Sequence, residues 1–199
     1  MRVLVFGGTK FVGRHLVDAL LAPGHEVTLF NRGKTDPGLF GGAVEEVHGD
    51  RDGGLDSLRG RDWDAVIDVS GYLPRLVGDS ARLLAGAVEH YTFISTVSVY
   101  RDFSQAGLTE DAPLATLSDE SVEEVTYETY GGLKVLCEEV VRAEYGDRCT
   151  VVRPHVVVGP HDDTDRFTYW VARTARGGDV LVPGRRDKPV QFVDARDLA

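Results

Sequence analysis

The sequence predicts an α/β protein built on a doubly wound parallel sheet, and three observations carry that expectation. Strand-like runs recur at Val3–Phe6, Glu26–Phe30, Val44–His48, Ala65–Val69, His90–Ser95 and Thr150–Val152. Helical patterns separate several of them, an alternation that favours parallel pairing. Runs such as Ala65-Val66-Ile67 and Val151-Val152 are apolar without interruption, as strands covered on both faces are.

The first strand runs directly into Gly7-Gly8-Thr9-Lys10-Phe11-Val12-Gly13 and then into a helical pattern over Phe11–Leu21, with Phe11, Val12, Leu16, Ala19 and Leu20 on one face. A glycine-lined turn at a helix N-terminus offers backbone N–H groups and the positive end of the helix dipole, which suit a pyrophosphate. An ordinary strand-to-helix turn has the same outline, and Lys10 occupies the central position of the G-x-x-G-x-x-G spacing. Pro23-Gly24 closes this helix, Gly33 to Gly42 forms a loop after the second strand, and Gly53-Gly54 opens another connection. Further helices are expected at Leu73–Val88, Tyr130–Tyr145 and Phe167–Arg176. Residues 101 to 127 are the longest irregular stretch, which reads as a lid or a locally helical segment. Its acidic run Asp119–Glu124 reads as a solvated face. Val190–Ala199 reads as a strand entering a helix, and a further C-terminal region is expected beyond it.

Composition narrows the function. A formal net charge of -10 over 199 residues, with no cluster of Lys and Arg, argues against a nucleic-acid surface. The stretch Arg185-Arg186-Asp187-Lys188 is interrupted by an aspartate and reads as a solvated loop. No apolar run approaches the roughly 20 residues of a membrane span, and the amino terminus reads as a core strand, so a cytoplasmic protein with no membrane partner is expected. Cys137 and Cys149 lack C-x-x-C spacing and read as free buried thiols. His161-Asp-Asp-Thr-Asp165 has no second cluster at ligand spacing, so no metal site is expected. One of these aspartates or Thr164 is expected to cap the Phe167 helix.

Two stretches carry chemistry. Tyr130 and Lys134 lie four apart on one helix face, where an ammonium can stabilise a phenolate and bring tyrosine into use as an acid or base. The same spacing occurs by chance on exposed helices. In Ile94-Ser95-Thr96-Val97-Ser98-Val99-Tyr100 the hydroxyls follow a buried strand, where open α/β sheets bind ligands, although a Ser/Thr-rich loop start has the same composition.

Together these pieces resemble the extended short-chain dehydrogenase/reductase family, in its epimerase/dehydratase branch. The likeness covers nearly the whole chain: the Gly7/Gly13 turn, Gly49-Asp50, Phe93–Tyr100, Leu108–Pro113, Tyr130–Lys134, Arg153-Pro154 with Gly159-Pro160, and Asp197-Leu-Ala199. It implies a dinucleotide-binding Rossmann-type domain over residues 1–199 and a nicotinamide enzyme acting on a hydroxyl or carbonyl of a small molecule. Its catalytic residues would be Thr96, bonding the reacting oxygen, Tyr130, moving a proton, and Lys134, which would lower the tyrosine pKa and bind the nicotinamide ribose. Gly7, Thr9, Lys10, Phe11, Val12 and Gly13 would hold the cofactor, with Asn31 and Arg32 after the second strand, Asp50 near the adenine, and Ser70 and Gly71 along the Asp68–Gly71 turn. Homodimers pairing through the Leu73–Val88 and Tyr130–Tyr145 helices are also implied.

Departures from the family pattern refine this. The acidic residue that usually follows the second strand is replaced by Asn31-Arg32, with Lys34 close behind and Lys10 expected nearby. Arg accepts a 2′-phosphate where an acid favours NAD, so NADP is expected in preference to NAD. Arg32 stacking on adenine is the other reading. At two positions where relatives contact a substrate diphosphate stand Val156 and Val190, neither able to offset its charge. The expected substrate is therefore not a nucleotide-diphosphate sugar. His155 and Tyr72 are candidates to enter the pocket instead. The competing reading is a non-catalytic dinucleotide sensor or an RNA-associated protein on the same fold.

Overall fold

A computed structural model describes residues 1–199. Six strands, β1 (Arg2–Phe6), β2 (Glu26–Asn31), β3 (Glu45–His48), β4 (Trp63–Asp68), β5 (Val88–Ile94) and β6 (Cys149–Val152), form one parallel sheet in the order β3-β2-β1-β4-β5-β6. This is the Rossmann order, and its switch point falls between β1 and β4. Helices α1 (Phe11–Leu21), α2 (Pro74–Leu84) and α3 (Tyr130–Tyr145) cover the sheet.

Alternation along β1 decides what each face buries. Leu4 and Phe6 enter a core with Val66, Tyr91 and Phe93, closed by Val77, Ala81 and Leu84 of α2 and Cys137, Val141 and Tyr145 of α3. Val3 and Val5 point the other way, into a smaller core with Val27, Leu29 and Leu16 and Val17 of α1. The buried face of α1 is thus centred on Gly13, Leu16 and Val17, and Ala19 is exposed. The expected α1 face was misplaced by part of a turn because the helix packs by its close approach at Gly13. The α2 helix is shorter than its pattern, since Val88 already belongs to β5.

Residues 101 to 129 form neither strand nor helix, apart from an isolated bridge between Tyr100 and Leu114. Two short strands, β7 (Val156–Val158) and β8 (Phe192–Asp194), make a separate parallel pair. They flank α4 (Thr168–Ala175), and β8 leads into α5 (Ala195–Leu198), which packs on α1. The expected cap of α4 is absent: its N-cap is Phe167, without a side-chain bond. Asp162 is spent on a local turn instead, taking the Thr164 backbone N–H at 2.9 Å and its hydroxyl at 2.6 Å. No helix is long and apolar enough to cross a membrane.

Candidate functional site

A cleft of about 800 Å³ opens at the carboxyl ends of β1 and β4, where the switch point predicts a ligand. Gly7, Thr9, Lys10, Phe11, Val12 and Gly13 line it, with Asn31 and Arg32 after β2, Asp50 after β3, and Ser70 after β4. A Cβ on Gly13 would stand 2.9 Å from the Gly8 backbone, so only glycine lets α1 start this close to the turn. Phe11, its first residue, is held at φ +36, the kind of strain that a surrounding structure maintains at ligand sites.

The residues fit a dinucleotide. No acidic side chain occupies the first turn of α1, so nothing competes with a phosphate for its N–H groups. Within the cleft the Asn31 side chain accepts from Gly33 N at 2.7 Å, while its buried Nδ2 has no partner. A buried donor left unpaired is costly, and a ligand oxygen would satisfy it. Arg32 and Lys34 also line the cleft, and neither forms an ion pair. Lys10 differs from expectation. Its ammonium meets Asp163 at 2.5 Å from the far side of the cleft, which raises its pKa, rather than standing free beside Arg32.

Thr96, Tyr130 and Lys134 lie beside this cleft rather than in its wall, and Tyr72 bridges the two. Tyr72 lines the cleft, its ring centroid is 6.4 Å from that of Tyr130, and the Lys134 ammonium lies 5.7 Å from the same ring. A short turn places Thr96, whose Oγ1 accepts from Ser98 N at 3.2 Å. Gly131 lets α3 begin against that turn: a Cβ there would stand 2.2 Å from the Ser98 carbonyl oxygen. Tyr130 is thereby set next to Thr96. Lys134, 3% exposed, donates to the carbonyls of Gly71 and Ile94, both at 2.7 Å. That bond is the place where Gly71 joins the site.

Burial is the largest influence on the Tyr130 phenol and pushes it above its ordinary value, with the Thr96 hydroxyl pulling it back in part. Lys134 itself is pushed down to about 8, chiefly by burial, with Asp68 opposing.

Sequence reasoning missed several of the residues that line the cleft. Arg51 immediately follows the Gly49-Asp50 pair and lines the cleft, a position readable from that adjacency. Val125 arrives from the irregular 101–129 segment, and Asp163, Thr164 and Arg166 from the stretch before α4. No spacing pattern marks either. Tyr72 reaches the cleft as expected, and His155 is not in its lining. Val156 is 41% and Val190 77% exposed. Of the two thiols, Cys137 is buried and pushed up to about 12 by desolvation, whereas Cys149 is only half-buried. No group of three or more His, Cys, Asp and Glu side chains is placed to hold a metal ion.

Comparison with known proteins returns the same architecture. A profile described as "NAD dependent epimerase/dehydratase family" matches residues 3–70 and 64–199. The chain is 27% identical over 213 residues to a protein of Arabidopsis thaliana named "Chloroplast stem-loop binding protein of 41 kDa b, chloroplastic". The match covers 100% of this chain and 53% of the relative, so the chain spans about half the length of that curated protein. Among solved structures, MoeE5 in complex with UDP-glucose and NAD is similar at a TM-score of 0.74 and 24% identity, covering 100% of this chain and 69% of MoeE5. The dTDP-glucose 4,6-dehydratase of Bacillus anthracis str. Ames in complex with NAD is similar at a TM-score of 0.75 and 18% identity, covering 100% of this chain and 69% of the dehydratase.

Proposed function

The chain belongs to the NAD dependent epimerase/dehydratase family, and from that premise we propose that it is an NAD(P)-dependent oxidoreductase or epimerase acting at a hydroxyl or carbonyl of a small molecule. The observation that carries this reading is the Lys134–Gly71 bond, which fastens the Thr96, Tyr130 and Lys134 group to the strand end that floors the cleft. Gly7 to Gly13, Asn31, Arg32, Asp50 and Ser70 would hold the cofactor, which supplies hydride exchange when bound. Tyr130 gives a proton to the substrate oxygen or takes one from it, Thr96 hydrogen-bonds that oxygen, and Lys134 binds the ribose. Replacing Tyr130 by Phe is expected to lower turnover by 10²-fold or more, within about the range for general acid–base catalysis, while NADH binding measured by fluorescence stays near wild type. Unchanged turnover would overturn the assignment.

Two finer points belong to the proposal. NADP is favoured over NAD by the unpaired Arg32 and Lys34 in the cleft, although the neighbours named above were solved with NAD. Titration with NADPH and NADH, repeated on Arg32→Ala, decides it: a loss confined to NADPH is expected. A substrate other than a nucleotide-diphosphate sugar is favoured by Val156 and Val190, and a panel including UDP-glucose beside simple carbonyl compounds tests that choice. We also place the protein in a homodimer through α2 and α3; light scattering at micromolar concentration checks it, and a monomer would remove it. The name of the Arabidopsis relative supports a second reading, binding of a stem-loop RNA. The net charge of -10 opposes it. RNA retention at physiological salt with no dinucleotide binding would favour it.

A further inference from the structure

Beneath the cleft lies a buried ionised pair to which the proposed reaction gives no role. Arg51 sends Nη1 and Nη2 to the two carboxylate oxygens of Asp68 at 3.0 and 2.5 Å. Asp68 ends β4 with no exposed surface, and also accepts from the Tyr91 hydroxyl at 2.9 Å and the Ser70 backbone N–H at 3.0 Å. Arg51 is fixed from the other side by the Ser80 hydroxyl and the Leu76 carbonyl of α2, and its guanidinium lies 4.5 Å over the Phe6 ring. A buried ion pair is often no more stabilising than apolar side chains of the same volume. Stability is thus a weak reason for its presence.

The pair stands where Lys134 is held. Three residues after Asp68, Gly71 offers the carbonyl that receives the Lys134 ammonium. The Ser70 N–H bond fixes the turn between them. Other groups facing Lys134 are accounted for. Cys137 and Glu138 follow on α3, and the Glu138 carboxylate is occupied by Arg153 at 2.6 and 3.0 Å and by the Ser95 hydroxyl at 2.5 Å. The Phe93 ring lies 4.1 Å away on β5 and the Tyr72 ring 5.7 Å away. Tyr91 has its hydroxyl on Asp68. Burial lowers the Lys134 affinity for its proton, and Asp68 is the foremost group that opposes this.

We infer that Asp68 is a positioning residue for Lys134: its carboxylate shapes the Ser70–Gly71 turn that receives the ammonium and balances its charge, and Arg51 fixes the carboxylate in place. The consequence for cofactor binding rests on the reading of Lys134 given above, whereas the effect on Lys134 itself does not.

The chain holds four lysines, Lys10, Lys34, Lys134 and Lys188, so ¹³Cε-lysine NMR resolves Lys134, assigned by its loss in Lys134→Met. Asp68→Asn is expected to move the Lys134 titration midpoint down by about one pH unit. Arg51→Gln removes a competing cation and leaves the carboxylate, so it is expected to move the midpoint up. General loosening of the core would not give opposite signs. An unchanged midpoint in Asp68→Asn, or the same direction in both variants, overturns the inference. If Asp68→Asn fails to fold, Asp68→Ser takes its place beside Arg51→Gln, a downward shift in the former with an upward shift in the latter supporting the inference and any other result overturning it. NADH titration at pH 8 supplies the functional arm, with affinity in Asp68→Asn expected to fall about fivefold, the loss of protonated lysine that a one-unit shift gives. A wild type that binds neither NADPH nor NADH overturns the dinucleotide reading, while the NMR result still judges the role of Asp68.

Discussion

The six-stranded sheet and the two-stranded β7–β8 pair differ in how they are covered, and the difference separates the packed core from the more exposed part of the cleft's lining. Leu4, Val5, Val66, Tyr91 and Phe93 of the large sheet have no exposed surface, because helices lie on both faces. The region after β7 has no second layer: α4 buries no residue, and Trp170, Leu181, Val182 and Val190 are exposed at 38%, 90%, 67% and 77%. This region still delivers Asp163, Thr164 and Arg166 to the cleft. Loosely packed segments are where ligand-contacting elements are commonly found, so the large sheet supplies a buried floor and the stretch between β7 and α4 supplies exposed side chains to the cleft.

Leu4→Ala should give the largest effect, destabilising by about 2–5 kcal/mol in urea denaturation, since it opens a cavity in the covered core. A loss below 1 kcal/mol would mean that the two regions are not as different as their burial implies. Gly13→Ala comes next, at about 1–3 kcal/mol for overpacking against the Gly8 backbone, with a parallel loss of NADH affinity measured by fluorescence. Lys134→Met sharpens the contrast through pH. The folded lysine titrates near 8 and the unfolded one at its ordinary 10.5, so between these values the unfolded chain binds more protons. The contribution of this group to stability therefore rises with pH, by up to about 1.4 kcal/mol per unit, and has no slope below the folded value. Wild type should accordingly gain on Lys134→Met from pH 8 to 10 in urea titrations, and a constant difference would contradict the burial of its charge. Trp170→Ala should be smallest, within about 0.5 kcal/mol, because the side chain covers no core; a loss comparable to that of Leu4→Ala would show a hidden contact surface.

Much of this was legible in the chain. The apolar runs placed the central strands β1 and β2 because strands covered on both faces are largely apolar, and the Tyr130–Tyr145 helix has the bounds its pattern predicts. The glycine-lined turn was legible because a backbone approach as close as that at Gly13 leaves a glycine in the sequence. The short β7 strand was not, because three residues carry too little periodicity. The cap proposed for α4 failed because Asp162 turns to Thr164, a choice between two local bonds that composition does not make.

By itself the sequence determined the parallel sheet, the glycine-lined turn and the candidate residues Thr96, Tyr130 and Lys134, since each reading depends on side-chain type within a few neighbours. Only the tertiary structure decided their electrical state. Lys134 and Tyr130 share a helix face, yet the ammonium bonds the carbonyls of Gly71 and Ile94, residues 63 and 40 positions away, and desolvation is the largest influence on the phenol. Arg51 and Asp68 are likewise 17 residues apart and meet because the sheet order brings the ends of β3 and β4 to one cleft. Charge interactions depend on distance and burial in space, and neither is written along the chain.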